Sequence, residues 1–302
     1  MHSSKLARDI VSGKKALASD IQNFILDVHE QYTGVAEDLV ANVKSEDGRT
    51  SYERLRDSAM PLRSRKVLDL ACGSGWLAEL LLKKVGQTGK VIGIDISETE
   101  LRLARSKVAA PNLIFQLGNA QKLPIKSGAI NVILCHLGLM VMRPLDAVID
   151  EVHRVLKPGG SFAFVIEGFD EHSELYTEYS DLVLHLLNTE IPQFEGLSDR
   201  KMLTFDGLTK VLSNTFGKDV TIRKEEYNLL FSGPLKTVAE RIVRFFYTAY
   251  LLSDEGKAIL YQSTVELLKK HSKFKSNIIF KAPHALVIVE KAKSDWSFKN
   301  RI

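Results

Sequence analysis

Asp69 stands four positions before Gly73 of the Gly73-Ser74-Gly75 turn, inside the apolar run Val67-Leu68-Asp69-Leu70. A glycine turn between an expected strand and an expected helix usually cradles phosphate, because backbone N–H groups and the helix N-terminus favour an anion. A carboxylate in that place repels phosphate and prefers a cation. A second acid, Asp95, follows Gly75 by 20 residues at the end of another strand-like run, the spacing at which a carboxylate takes a ribose diol. Gly73 to Ala78 also fits the pattern G-x-G-x-x-A, so a dinucleotide is the alternative. Its pyrophosphate beside Asp69 is an unfavourable pairing at any local dielectric. A ligand that carries a ribose, an ammonium and a sulfonium, and no phosphate, fits both acids. S-adenosylmethionine has that chemistry.

Other residues with chemical potential follow the turn. Cys135 and His136 close a fourth strand-like run. A lone cysteine is most often a small buried apolar residue, and no proline-cysteine nucleophile motif accompanies it. His136, with an ordinary pKa of ~6.5, suits a base near neutral pH and equally a hydrogen bond to substrate or backbone. His153 and His185 sit in helical patterns and read as surface or packing residues. Phe245, Phe246 and Tyr250 share an expected helix, either as a core stripe or as an apolar wall for a ligand. Tyr32 either caps the ligand pocket or joins the core. No acidic cluster has metal-ligand spacing, so the expected chemistry needs no metal.

The elements that must position these groups are legible from periodicity. Leu17, Ile21, Phe24, Ile25, Val28 and Tyr32 recur at helical spacing. Residues 44–64 are polar and read as a connection or a short exposed helix. From Lys66 the chain alternates: strands at 66–70, 91–95, 112–117, 130–135 and 161–166, and helices at 75–85, 97–108 and 145–156. Ser97 with Glu100 is a capping box, and Pro158-Gly159-Gly160 stops the last of these helices. Strands joined by such helices require crossovers and a largely parallel sheet. The rhythm then breaks into a helical insert from 170 to about 198, a helix at 205–216, a strand at 220–231, a second helical insert and a closing strand at 285–291.

The whole chain has 302 residues, 41 basic and 37 acidic, with no block of like charge, which argues against a nucleic-acid partner. Two cysteines make no disulfide framework. The longest apolar run, 129–142, is too short to span a bilayer. The N-terminus lacks an apolar core of signal-peptide length. The expectation is a soluble, cytoplasmic protein.

Four ordered motifs carry a family resemblance: VLDLACGSG (67–75), VIGIDIS (91–97), GNAQKLP (118–124) and RVLKPGG (154–160). Through them the chain resembles class I S-adenosylmethionine-dependent methyltransferases over roughly residues 30–170. Within that group it is similar to quinone-biosynthesis and malonyl-carrier-protein methyltransferases, and FSGPLKTVAERI and APHALVIVEKA are similar to natural-product enzymes with a late insert. The resemblance implies a doubly wound α/β fold with a mostly parallel seven-stranded sheet, an antiparallel last strand and helical lid inserts. It implies that Asp69, Ala71, Gly73 and Gly75 surround the methionine part of S-adenosylmethionine. Asp95 would accept from the ribose hydroxyls, Ile96 would pack on adenine, and Asn119 and Ala120 would meet the adenine edge. Asparagine at 119 departs from the family's usual aspartate. Cys135 and His136 would lie near the methyl group.

The expected organisation is an N-terminal helical cap (1–64), a cofactor-binding core (65–167), a lid insert (168–204), a core continuation (205–232), a second lid insert (233–276) and a last strand with tail (277–302). The expected activity is methyl transfer to a small apolar or aromatic acceptor by direct displacement, with Tyr32, His136 and Phe246 as candidate acceptor contacts and His136 as candidate base. A homodimer is left open. The alternatives are an RNA-modifying methyltransferase of the wobble-uridine type and a non-catalytic cofactor-binding subunit.

Overall fold

The computed structural model describes residues 4–169, 172–272 and 277–293. Expected segment ends at 1–3, 170–171, 273–276 and 294–302 lie outside the described residues. Helices α1 (Lys5–Val11), α2 (Ala18–Gln31), α3 (Val35–Val40) and α4 (Ser51–Ser58) precede strand β1 (Lys66–Leu70). The alternating stretch follows: α5 (Trp76–Val85), β2 (Lys90–Asp95), α6 (Glu98–Lys107), β3 (Leu113–Leu117), β4 (Ile130–His136), α7 (Leu145–Val155) and β5 (Leu156–Glu167). The chain continues through α8 (Glu174–Glu190), α9 (Phe205–Phe216), β6 (Ile222–Gly233), α10 (Leu235–Phe245), α11 (Asp254–His271) and β7 (Ile278–Glu290).

One sheet runs in the order β3-β2-β1-β4-β5-β7-β6. The β1–β2, β1–β4, β2–β3 and β4–β5 pairs are parallel, and antiparallel pairing enters with the last strands. The strand order reverses at β1, between β2 and β4, which is where an open α/β sheet has its ligand crevice, beyond the strands' carboxyl ends. Local chemistry explains the crossovers. Gly75 takes a left-handed φ of 89° as the cap of α5, and Gly86 closes that helix at φ 69°. The Ser97 hydroxyl accepts from Glu100 N–H at the start of α6. Leu145, Val148, Ile149, Val152 and Val155 recur at helical spacing on α7 and are buried in one cluster with Leu68, Leu70, Ile133, Phe162 and Phe164 of the strands.

The chain divides into two compact units. The first comprises Met1–Ser51, Asp170–Leu197 and Tyr227–His284; the second comprises Tyr52–Phe169, Ser198–Glu226 and Ala285–Ile302. Strands β6 and β7 contribute residues to both. Among the described residues no helix is long and apolar enough to cross a membrane.

Three sequence expectations are corrected. The 44–64 stretch is not an exposed connection: α4 buries Tyr52, Leu55 and Arg54, and Leu62 follows them inward. Its interleaved Glu53, Arg56 and Asp57 hide an inward-facing pair three residues apart, and the buried Arg54 guanidinium is paired with Glu225 of β6. Phe245 and Phe246 do not continue one helix through Tyr250, because Phe246 is extended (φ −88°, ψ 117°) and a 3₁₀ turn, Tyr247–Leu251, follows. Leu17, expected on the apolar stripe of the first helix, is exposed.

Candidate functional site

The carboxyl ends of β1, β2 and β4 gather most of the residues singled out above, all within the second unit. Asp95 ties three loops together. Its Oδ2 accepts from Gly73 N–H and its Oδ1 from Ser97 N–H, both at 2.9 Å, while its backbone carbonyl accepts from Gly118 N–H at 2.9 Å. One buried carboxylate therefore sets the glycine turn after β1 and the start of α6. Lys107 adds a bond from its Nζ to the Ser74 hydroxyl at 2.9 Å.

Asp69 sits deeper, 1% exposed, and one of its oxygens accepts from the Ala78 N–H in the first turn of α5. Its Oδ2 has no hydrogen-bond partner. Burial first, and the Asp95 charge second, push its pKa up to about 8. The expectation of a charged Asp69 is therefore corrected: without a ligand the carboxyl is mostly protonated at pH 7. A buried acid with an idle oxygen and an acidic neighbour is a place where a cation gains and a second anion loses.

Around these acids the backbone is forced. Ala71 (φ 57°) and Leu137 (φ 55°) are non-glycine residues in the left-handed region, at the ends of the paired strands β1 and β4. Such conformations collect at ligand sites. Gly138 makes the close approach feasible: a Cβ there would lie 2.6 Å from the Ala71 Cβ. Gly138→Ala is accordingly expected to cost about 1–3 kcal/mol in urea unfolding. The double change Ala71→Gly with Gly138→Ala should recover most of that loss. A double variant no more stable than Gly138→Ala alone would show that the contact is not the cause.

Cys135 is wholly buried in the core cluster, and burial pushes its thiol up to about 12, so it stays protonated and is no nucleophile. His136, half-buried, ends β4 and stacks on Tyr52 of α4 with ring centroids 3.7 Å apart and planes 21° from parallel. The sequence reading missed Tyr52; its signal was the Tyr52–Leu55 spacing inside a charged segment. Ile96, Asn119 and Ala120 are half-buried at the ends of β2 and β3. The Asn119 Oδ1 accepts from Gln121 N–H at 2.8 Å, which closes a local turn.

Tyr32 and Phe246 belong to the first unit. There Tyr32 meets Tyr250, ring centroids 5.0 Å apart, and Phe246 meets Tyr179 at 5.3 Å. The structure does not bring these two rings into one cluster with each other. Among the described residues no group of histidine, cysteine and acidic side chains could hold a metal ion.

The family profile described as "Methyltransferase domain" matches residues 67–160, which includes the glycine turn, both acids and the end of β4. A demethylmenaquinone methyltransferase of Lactococcus lactis is 41% identical over 102 residues, 33% of this chain and 40% of that relative. One of Lactobacillus johnsonii is 28% identical over 217 residues, covering 66% of this chain and 87% of that protein. A putative methyltransferase of Bacillus halodurans shares the fold with a TM-score of 0.57 at 17% identity, over 80% of this chain and 99% of its own. The strand order, the two acids at the turn and the relatives that share the turn converge: residues 67–160 are a methyltransferase domain of the class I S-adenosylmethionine-dependent kind.

Proposed function

We propose that this protein transfers the methyl group of S-adenosylmethionine to a small, apolar or aromatic acceptor. The observation that carries the reading is the pair Asp69 and Asp95: a deep acid with an idle oxygen for a cation, and a shallower one organising the turn where a ribose fits. In this reading Gly73 and Gly75 let the backbone approach the methionine part, and Asp95 accepts from the ribose through lone pairs that its two N–H partners leave over. Ile96 and Ala120 flank the adenine, and Asn119 offers its amide N–H₂ to the base edge, because its oxygen already serves the turn. Cys135 contributes apolar bulk beneath the site.

Bound there, S-adenosylmethionine supplies an electrophilic methyl carbon whose leaving group departs as a neutral thioether. The chain supplies alignment and exclusion of water. His136 is the residue assigned to take the acceptor's proton or to orient its polar atom, and Tyr52, stacked on it, fixes the ring plane. The resemblance to demethylmenaquinone methyltransferases supports an aromatic acceptor of the quinone-biosynthesis kind. No observation favours the RNA-modifying or the non-catalytic reading.

Calorimetric titration with S-adenosylhomocysteine tests the cofactor half. Binding at one site per chain in the micromolar range is expected. NADH should not compete at a hundredfold higher concentration. Absence of S-adenosylhomocysteine binding by folded protein, or displacement by NADH, refutes the reading.

A further inference from the structure

Helix α6 meets the glycine turn at three points along its length, all within the second unit. At its start, Asp95 accepts from Gly73 N–H with one oxygen and from Ser97 N–H with the other. One face of the helix then points inward, with Glu100, Leu101 and Ala104 buried. Ala104 lies against Gly75, where a Cβ would stand 3.3 Å from the Ala104 Cβ and 3.1 Å from the Phe115 ring. At its end, Lys107 continues that face three residues past Ala104. Its Nζ donates to the Ser74 hydroxyl at 2.9 Å and lies 5.8 Å from the centre of the Trp76 ring.

The turn needs such support. Ser74 is wholly buried and stands between two glycines in the left-handed region, Gly73 at φ 47° and Gly75 at φ 89°. Glycine on both sides leaves the backbone many other paths, so the shape of the turn depends on what holds each member. Asp95 holds Gly73, Ala104 limits Gly75, and Lys107 holds Ser74.

A lysine in the last turn of a helix is ordinary in itself, because a cation there offsets the helix dipole. Arg105 and Lys107 both occupy that turn of α6. Arg105 is engaged with Glu98 and with the Phe115 carbonyl. Lys107 does something the dipole does not ask for. Long basic side chains usually bury the stem and keep the charged head in water. Here the residue is exposed, yet its ammonium goes to a hydroxyl on a residue that water does not reach. The bond is charge-assisted, and it fixes the direction of the Ser74 oxygen between the two glycines.

We infer that Lys107 is a positioning residue for the cofactor: through Ser74 and Trp76 it holds the glycine turn in the shape that receives S-adenosylmethionine. It acts on the turn rather than on the ligand. Cofactor affinity is thereby set in part by a surface lysine 33 positions along the chain from the serine it holds. The inference rests on the cofactor reading above.

The test uses the full chain and S-adenosylhomocysteine. Lys107→Met keeps the stem and removes the donor, whereas Lys107→Arg keeps a charged donor. Calorimetry is expected to show about tenfold weaker binding by Lys107→Met, the order of one charge-assisted bond, and recovery to within about threefold of the parent in Lys107→Arg. In a Ser74→Ala background, Lys107→Met should weaken binding no further, because its partner is gone. The backbone amide resonances of Gly73 and Gly75 give a second reading without ligand: they should move in Lys107→Met and return in Lys107→Arg, while those of α7 stay in place. Three results overturn the inference: unchanged affinity in folded Lys107→Met, equal loss in Lys107→Met and Lys107→Arg, or a loss of the same size in the Ser74→Ala background. If the parent itself binds no S-adenosylhomocysteine, the cofactor reading falls, and glycine resonances unmoved in Lys107→Met separately overturn the hold on the turn.

Discussion

Asp95→Ala is expected to lower S-adenosylhomocysteine affinity by about a hundredfold or more in a protein that still folds. Hydrogen bonds to an ionised group contribute about 1.5–3 kcal/mol each. Two such bonds to a ribose would give about 3–6 kcal/mol, or factors from roughly 10² to 10⁴ by the usual 1.4 kcal/mol per decade. The structure adds a second loss. Gly73 N–H and Ser97 N–H both lose their acceptor in the alanine variant, so the turn itself loosens before any ligand arrives. Asp95→Asn should be nearly as damaging, since its amide N–H₂ must face one of those two donors. Calorimetry together with near-ultraviolet circular dichroism checks this. Affinity within threefold of the parent in a folded Asp95→Ala protein would remove Asp95 from the site.

The second large effect is a pH dependence that discriminates among ligands. Asp69, raised to about 8, must give up its proton before it can face a cation as a carboxylate. Affinity for S-adenosylmethionine should therefore rise by up to about tenfold per pH unit between pH 6 and 7.5, with close to one proton released per ligand bound. Measurement stops at 7.5 because the ligand's own α-amino group titrates near 7.7–8.0. Uncharged adenosine should show neither the slope nor the proton. Calorimetry in buffers of different ionisation enthalpy reads the proton count directly, and Asp69→Asn should flatten the profile. Equal slopes for the two ligands would mean that Asp69 serves only to hold Ala78 and the start of α5. The sign for stability runs the other way. A carboxyl whose folded pKa lies above its unfolded value of ~3.9 contributes stability that declines as pH rises from about 4 to about 8. The ligand-free protein should accordingly melt at lower temperature at pH 8 than at pH 6 by this contribution, and Asp69→Asn should lack it.

The candidate cofactor residues could be related to one another from sequence because they are close in it. Asp69, Gly73 and Gly75 lie on one strand–turn–helix, and Asp95 ends the next strand, so spacing alone relates them. Capping residues announced α5 and α6 as well. What sequence could not show were contacts made across the fold. Tyr52 reaches His136 only through tertiary packing, and the charges around it mask its burial. His284 falls one residue before the expected closing strand at 285–291, and nothing local says that its ring is enclosed. The charge state of Asp69 was misjudged for the same reason: a carboxyl's pKa is set by how much protein surrounds it, which spacing does not encode. The break at Phe246 shows the limit of helical periodicity, since an apolar stripe persists across a kink.

Helix α4 is fastened at both ends of its chemistry. Tyr52 stacks on His136, and two residues later Arg54 is paired with Glu225, 171 positions further along the chain. During synthesis the glycine turn and both acids emerge long before Glu225 does. A nascent chain arrested short of that residue would already contain the glycine turn and both acids, yet the buried guanidinium beside Tyr52 would lack this carboxylate partner. Loop closure over that distance is among the slower steps a domain can require. Pairing Arg54 with Glu225 therefore waits for β6 to emerge, whereas the contact between Tyr52 and His136 asks only for residues already made.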